Sequence, residues 1–100
     1  MKTSIMQQDG NYIVKLEGRL DTAAAPQTEQ ELASLYECSG HDIVIDCEKL
    51  DYISSSGLRI FLGILKNAKA KQQHVYIENI NNDLRNIFAI TGFANLFEFR

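Results

Sequence analysis

At 100 residues, 45% hydrophobic and 23% charged, the chain has the make-up of one ordinary globular domain with a single modest core. A net charge of −3 offers nucleic acid no basic face, and no apolar run is long enough to span a bilayer. Met1-Lys2-Thr3 leads straight into a polar strand pattern without a signal peptide, so the expected location is the cytoplasm, with no membrane partner.

Cys38 and Cys47 form no C-x-x-C pair and are expected as free thiols. His41 and His74 are too scattered to complete a zinc site with them, so neither a metal nor another cofactor is expected.

The chain opens with two strand patterns, Ser4 to Gln8 and Asn11 to Glu17, joined at Asp9-Gly10, a strong hairpin signal. In the second, Tyr12, Val14 and Leu16 alternate with Ile13, Lys15 and Glu17, which predicts one buried face and one mostly wet face. Gly18-Arg19-Leu20-Asp21-Thr22 is expected to end that strand. Asp21 or Thr22 would then cap a helix, with Pro26 tolerated in its first turn and Glu29 and Glu31 near its positive end. Leu32, Leu35 and Tyr36 supply the apolar stripe, and Ser39-Gly40 would stop it.

Asp42 to Cys47 contains Ile43-Val44-Ile45, a continuous apolar run that suits a central strand. Leu50-Asp51-Tyr52-Ile53 then leads to three consecutive hydroxyls, Ser54, Ser55 and Ser56, and a break at Gly57. From Leu58 the apolar residues fall at Phe61, Leu62, Leu65 and Ala68, a helical period. Serine suits a helix start because its oxygen accepts a free backbone N–H, and a helix start favours negative charge. A phosphate on one of these hydroxyls would meet little local cost. Capping alone would also account for the serines. Ile60 and Ile64 sit at the edge of the apolar arc beside Arg59, Gly63 and Asn67, and are candidates for partner contact.

Gln73 to Glu78 reads as another strand. Asn81 or Asn82 caps a third helix bearing Leu84, Ile87 and Phe88, which Gly92 terminates. Phe93, Leu96, Phe97 and Phe99 close the chain with residues that must pack on the rest, in a final short strand. The order β-β-α-β-α-β-α, then β, predicts a single α/β domain over residues 1–100. Its sheet is mixed, with an N-terminal hairpin, parallel β-α units and helices packed on it.

Catalysis is not expected. A serine nucleophile needs a base and an orienting partner, Ser54-Ser55-Ser56-Gly57 is not a G-x-S-x-G elbow, and both histidines stand at strand starts. No glycine-rich phosphate loop is present, so the chain is not expected to bind nucleotide.

Four segments in order resemble one family, the STAS domains, and within it the single-domain bacterial anti-sigma factor antagonists. Gly18-Arg19-Leu20-Asp21 is similar to the family's G-x-L-D segment, and Ile43-Val44-Ile45-Asp46 to its central strand. Tyr52 to Leu58 resembles its signature loop, commonly D-S-S/T-G-L, and Thr91-Gly92-Phe93 its late T-G-L/F turn. The resemblance implies an antagonist that binds an anti-sigma factor serine kinase of GHKL type and so frees a sigma factor. It also implies phosphorylation by that kinase at Ser55 and reversal by a serine phosphatase. Ser54 stands where the family commonly has Asp, which removes the acidic marker of register and makes Ser54 the principal rival to Ser55. The partner surface is expected around Asp21, Thr22, Ser54, Ser56, Gly57, Leu58, Arg59, Ile60 and Ile64, on a monomer. The alternative is a STAS domain that works without phosphorylation, as a regulatory subunit of a membrane transporter or another assembly.

Overall fold

A computed structural model describes residues 1–37 and 40–100. Strands β1 (Lys2–Gln8) and β2 (Asn11–Leu20) pair antiparallel with Gln8 opposite Asn11. The two linking residues, Asp9 and Gly10, have φ of 53° and 79°, which gives the tight turn that matches strand twist. β3 (Asp42–Ile53), β4 (Val75–Glu78) and β5 (Glu98–Phe99) then add in parallel, giving a five-stranded sheet in the order β1-β2-β3-β4-β5.

Helices make the parallel crossovers. α1 (Ala25–Glu31) and a 3-10 turn at Ala33–Glu37 join β2 to β3, α2 (Ser55–Ala70) joins β3 to β4, and α3 (Asn82–Ile90) leads towards β5. Buried residues of all three helices join Val14, Leu16, Ile43, Ile45, Val75 and Ile77 in one core cluster, so the helices cover one face of the sheet. Phe61, Phe88, Phe97 and Phe99 interlock at its α3 end, with ring centroids 5.8–6.2 Å apart. No helix among the described residues covers the other face, where the Arg100 guanidinium lies over the Tyr76 ring. There Met6, Ile13, Val44 and Tyr76 lie side by side in register across four strands, and Val44 is fully buried without belonging to the core cluster.

Several boundaries depart from the sequence reading. β2 runs to Leu20 and β3 to Ile53, because shifts of register at Lys15/Glu17 and Gly18/Arg19 let the two strands keep pairing past the polar Glu48-Lys49 stretch. The first helix is not continuous. Thr28 to Leu32 keeps the α spacing, but Leu32 to Leu35 is a three-residue step, which a 3-10 turn places on one face. The predicted stop at Ser39 falls outside the described residues. Gly40 has φ of 80°.

Neither Asp21 nor Thr22 is the cap of α1. Ala24 holds that position without a side-chain bond, and Asp21 instead accepts the Ala24 N–H at 2.9 Å, one turn earlier. β4 starts at Val75 because the Gln73 N–H is still bonded to the Ala68 carbonyl of α2 at 2.8 Å. The His74 N–H goes to the Asp42 side chain at 3.0 Å rather than to a strand carbonyl, although the His74 carbonyl already accepts the Ile43 N–H at 2.9 Å. The Gln73 amide donates to the His41 carbonyl at 2.6 Å. Asn81 is the cap of α3, accepting the Leu84 N–H at 2.8 Å, and Gly92 follows the helix with φ of 81°.

Candidate functional site

The serine segment lies where β2 and β3 end together. The Ser54 N–H donates to the Leu20 carbonyl at 2.8 Å, which ties the G-R-L-D segment to the start of α2. The Ser54 hydroxyl accepts the Gly57 N–H at 3.2 Å, so Ser54 is the helix cap, only 8% exposed. Ser55 is the first residue of α2 and its side chain is exposed; Ser56 is half-buried.

Gly57 is required by packing. A Cβ at this position would lie 2.7 Å from Ile53 Cγ1 and 2.8 Å from Leu20 Cγ. The first turn of α2 therefore rests directly on the two strand ends, and the three serines inherit that position. Leu58 is buried in the core just beyond.

Ile60 and Ile64, expected at a contact rim, are 4% and 2% exposed and belong to the core. The buried arc of α2 runs through Gly57, Leu58, Ile60, Phe61, Ile64, Leu65 and Ala68. That covers roughly 160° of the helix at about 100° per residue. The arc is this wide because α2 packs on the sheet and also against α1 and the 3-10 turn. Ile60 and Ile64 therefore have almost no surface to give a partner.

Exposed candidates remain at the helix start. A groove of about 910 Å³ runs between α1, the 3-10 turn and α2, lined among others by Thr22, Pro26, Glu29, Tyr36, Ser56 and Arg59. Arg59 is exposed and stands one turn after Ser55, within reach of it on the helix surface. Asp21 is half-buried at the end of β2, with one carboxylate oxygen occupied by the Ala24 N–H. Tyr36 sits with its hydroxyl over Gly63, where a Cβ would come within 2.6 Å of it. Burial, and then the Glu29 carboxylate, raise its phenol pKa above the ordinary value, so it remains a neutral hydroxyl.

Sequence reading missed the α1 side of this groove. Pro26, Glu29 and Tyr36 carry no motif; only packing of α1 against α2 brings them opposite Arg59. It also missed the Arg19 guanidinium, 4.5 Å from the centre of the Tyr52 ring at the neighbouring strand ends.

The remaining chemistry-bearing residues do not converge here. Cys47 is buried, and burial pushes its thiol up to about 12. His41 meets Tyr12 edge-on, while His74 stacks on Tyr76 and pairs with Glu98 at 3.1 Å. Among the described residues no three His, Cys, Asp or Glu side chains cluster as metal ligands, and Cys38 lies outside them. No helix among the described residues is long and apolar enough to cross a membrane.

Comparison with known proteins gives a consistent picture. The sequence profile of the STAS domain matches residues 2–100. The chain is 35% identical to BtrV of Bordetella bronchiseptica, over 97% of this chain and 84% of that one. It is 33% identical to the anti-sigma-B factor antagonist of Staphylococcus aureus, over 89% of this chain and 82% of that one. Among solved structures, an anti-sigma factor antagonist from Mycobacterium paratuberculosis superposes with a TM-score of 0.87 at 22% identity. That match covers 98% of this chain and 83% of the other.

Proposed function

The chain belongs to the STAS domain, anti-sigma factor antagonist family, and we propose that it binds an anti-sigma factor serine kinase and is released when Ser55 is phosphorylated. Proteins of this family are regulators rather than enzymes, so the phosphoryl chemistry belongs to the partner. The observation that carries the proposal is the unequal exposure of the three serines. Ser54 is buried and its hydroxyl caps α2, Ser56 is half-buried, and Ser55 alone projects into solvent. An in-line attack on the γ-phosphate of ATP needs a hydroxyl that can enter the kinase site and give up its proton there. Ser55 meets that need without unwinding the helix, whereas Ser54 would have to abandon its cap.

The same geometry supports release. Phosphorylation adds about −1.5 to −2 charges at neutral pH. On the free domain the α2 N-terminus and Arg59 offset that charge. In a contact surface fitted to a neutral hydroxyl it must be desolvated or set against a carboxylate, at a cost of several kcal/mol. The switch then needs no refolding, and a serine phosphatase resets it. The proposed setting is the cytoplasm, where kinase, phosphatase and sigma factor meet. The contact surface comprises Asp21, Thr22, Ser56 and Arg59 around Ser55, with Ser54, Gly57 and Leu58 as the support that holds it.

Incubation with the kinase and ATP, followed by peptide mapping, tests this. Phosphate on Ser55 supports it. Phosphate confined to Ser54 or Ser56 removes the assignment, and none on any of the three favours a phosphorylation-independent regulatory subunit.

A further inference from the structure

Among the described residues no strand covers the β1 edge of the sheet. The side chain that reaches over it is Glu31 of α1, whose carboxylate accepts from the Thr3 hydroxyl at 2.9 Å. All seven residues of β1 pair with β2 in unbroken register, so every second residue turns its N–H and C=O outwards with no strand to meet them. Natural edges are blunted by proline, bulges, charges within the strand or very short length. Between Thr3 and Gln8 this strand has no proline, no bulge and no charged side chain. The opposite edge is treated differently. β5 has only two residues, and after it the Arg100 N–H continues the ladder to the Ile77 carbonyl at 2.8 Å. The Arg100 guanidinium pairs with Glu78 and lies over the Tyr76 ring at 4.4 Å.

We propose that β1 is a self-association edge, pairing antiparallel with β1 of a second copy about a two-fold axis near Ile5 and Met6. The charges favour that occupant and that direction. Lys2 opens the strand and Asp9 follows its end, so antiparallel pairing sets each Lys2 beside the other copy's Gln8-Asp9 stretch, twice per dimer. Parallel pairing would set Lys2 against Lys2. Met6, 42% exposed, lies on the face opposite the helices and would carry the apolar row of Ile13, Val44 and Tyr76 across the axis. A single strand pair buries less than the ~1,000 Å² typical of stable interfaces, so the dimer is weak, half-dissociated at about 100 μM. This sets a weak dimer beside the sequence's expectation of a monomer and does not depend on the phosphorylation proposal.

Sedimentation equilibrium of the intact chain from about 10 μM to about 1 mM tests it. The expected result is a mass rising from one copy towards two. Met6→Lys, which places two charges at the axis, should weaken association about tenfold or more. Lys2→Glu should also weaken it by setting a carboxylate of each copy against Asp9 of the other, and adding Asp9→Asn should restore part of the loss. Hydrogen exchange supplies a readout free of mutation: β1 amides of the unaltered chain should gain protection as concentration rises. A monomer throughout the range overturns the proposal, as does association unchanged by Met6→Lys and Lys2→Glu. Failure of Asp9→Asn to recover any association overturns the antiparallel arrangement.

Discussion

Gly57→Ala isolates the contact that holds the serine segment in place. The substitution adds one methyl where Ile53 Cγ1 is 2.7 Å away and the Leu20 carbons Cγ and Cδ2 are 2.8 and 3.0 Å away. Leu20 is fully buried and Ile53 is 2% exposed, so neither can swing into solvent. The backbone at Gly57 has no positive φ, and alanine meets no conformational strain there. Overpacking of this kind costs about 1–3 kcal/mol. Alanine in place of glycine within a helix returns up to about 1 kcal/mol. Because neither neighbour can yield, the upper part of the overpacking range, about 2–3 kcal/mol, applies. The net loss is then about 1–2 kcal/mol, or about 4–15 °C in Tm for a domain of this size. Gly63→Ala is the internal comparison. Its Cβ meets only the Tyr36 hydroxyl, the end of a side chain that can tilt away, so the helix gain offsets the clash and Tm should move by no more than a few degrees. Thermal unfolding followed by circular dichroism measures both. A Gly57→Ala protein as stable as the original, or one hurt no more than Gly63→Ala, would refute the close-approach argument.

Other consequences follow from the same structure. Ser54→Ala removes the cap of α2 and should lower stability by about 1 kcal/mol in urea titration, with Ser54→Asp largely preserving it. Cys47 is held neutral by the fold, its thiol raised from an ordinary value of 9.0 to about 12. The stability this contributes is complete below the unfolded thiol's pKa and is lost as pH rises from there through about 12. Urea titrations should show a smaller loss between those limits for Cys47→Ala than for the unaltered chain, and in a Cys38→Ser background thiol labelling at pH 8 should occur only on unfolding. Ser55→Ala should bind the kinase and resist modification, while Ser55→Asp should bind more weakly, in a direct pull-down titration. Ile60→Asp should unfold the domain rather than only weaken partner binding, because that side chain is buried; a folded variant by circular dichroism would contradict the packing described.

The features legible in the sequence were those set by local chemistry. Asp9-Gly10 specified its turn, the Asn81-Asn82 pair and Gly92 marked the limits of α3, and the Ser54-Ser55-Ser56-Gly57 run marked the start of α2. What failed depended on partners distant in the chain. The extension of β3 to Ile53 relies on register shifts in β2, which no residue pattern in β3 announces. The burial of Ile60 and Ile64 follows from α1 closing over α2, so a helix that reads as one-sided has two covered flanks. The groove facing Arg59 was invisible for the same reason. Within the serine run, spacing left Ser54 and Ser55 as rivals; they separate only in the fold, where one hydroxyl is a buried cap and the other is free in solvent.

The most direct test of the central claim compares binding of the anti-sigma factor kinase to the unmodified chain and to chain carrying phosphoserine at position 55, installed during translation so that no kinase step intervenes. Calorimetric titration supplies both affinities. The account predicts tight binding of the unmodified chain and at least about a thirtyfold loss with phosphoserine at that position, equivalent to about 2 kcal/mol. Equal affinity for the two forms, with both correctly folded, would contradict it.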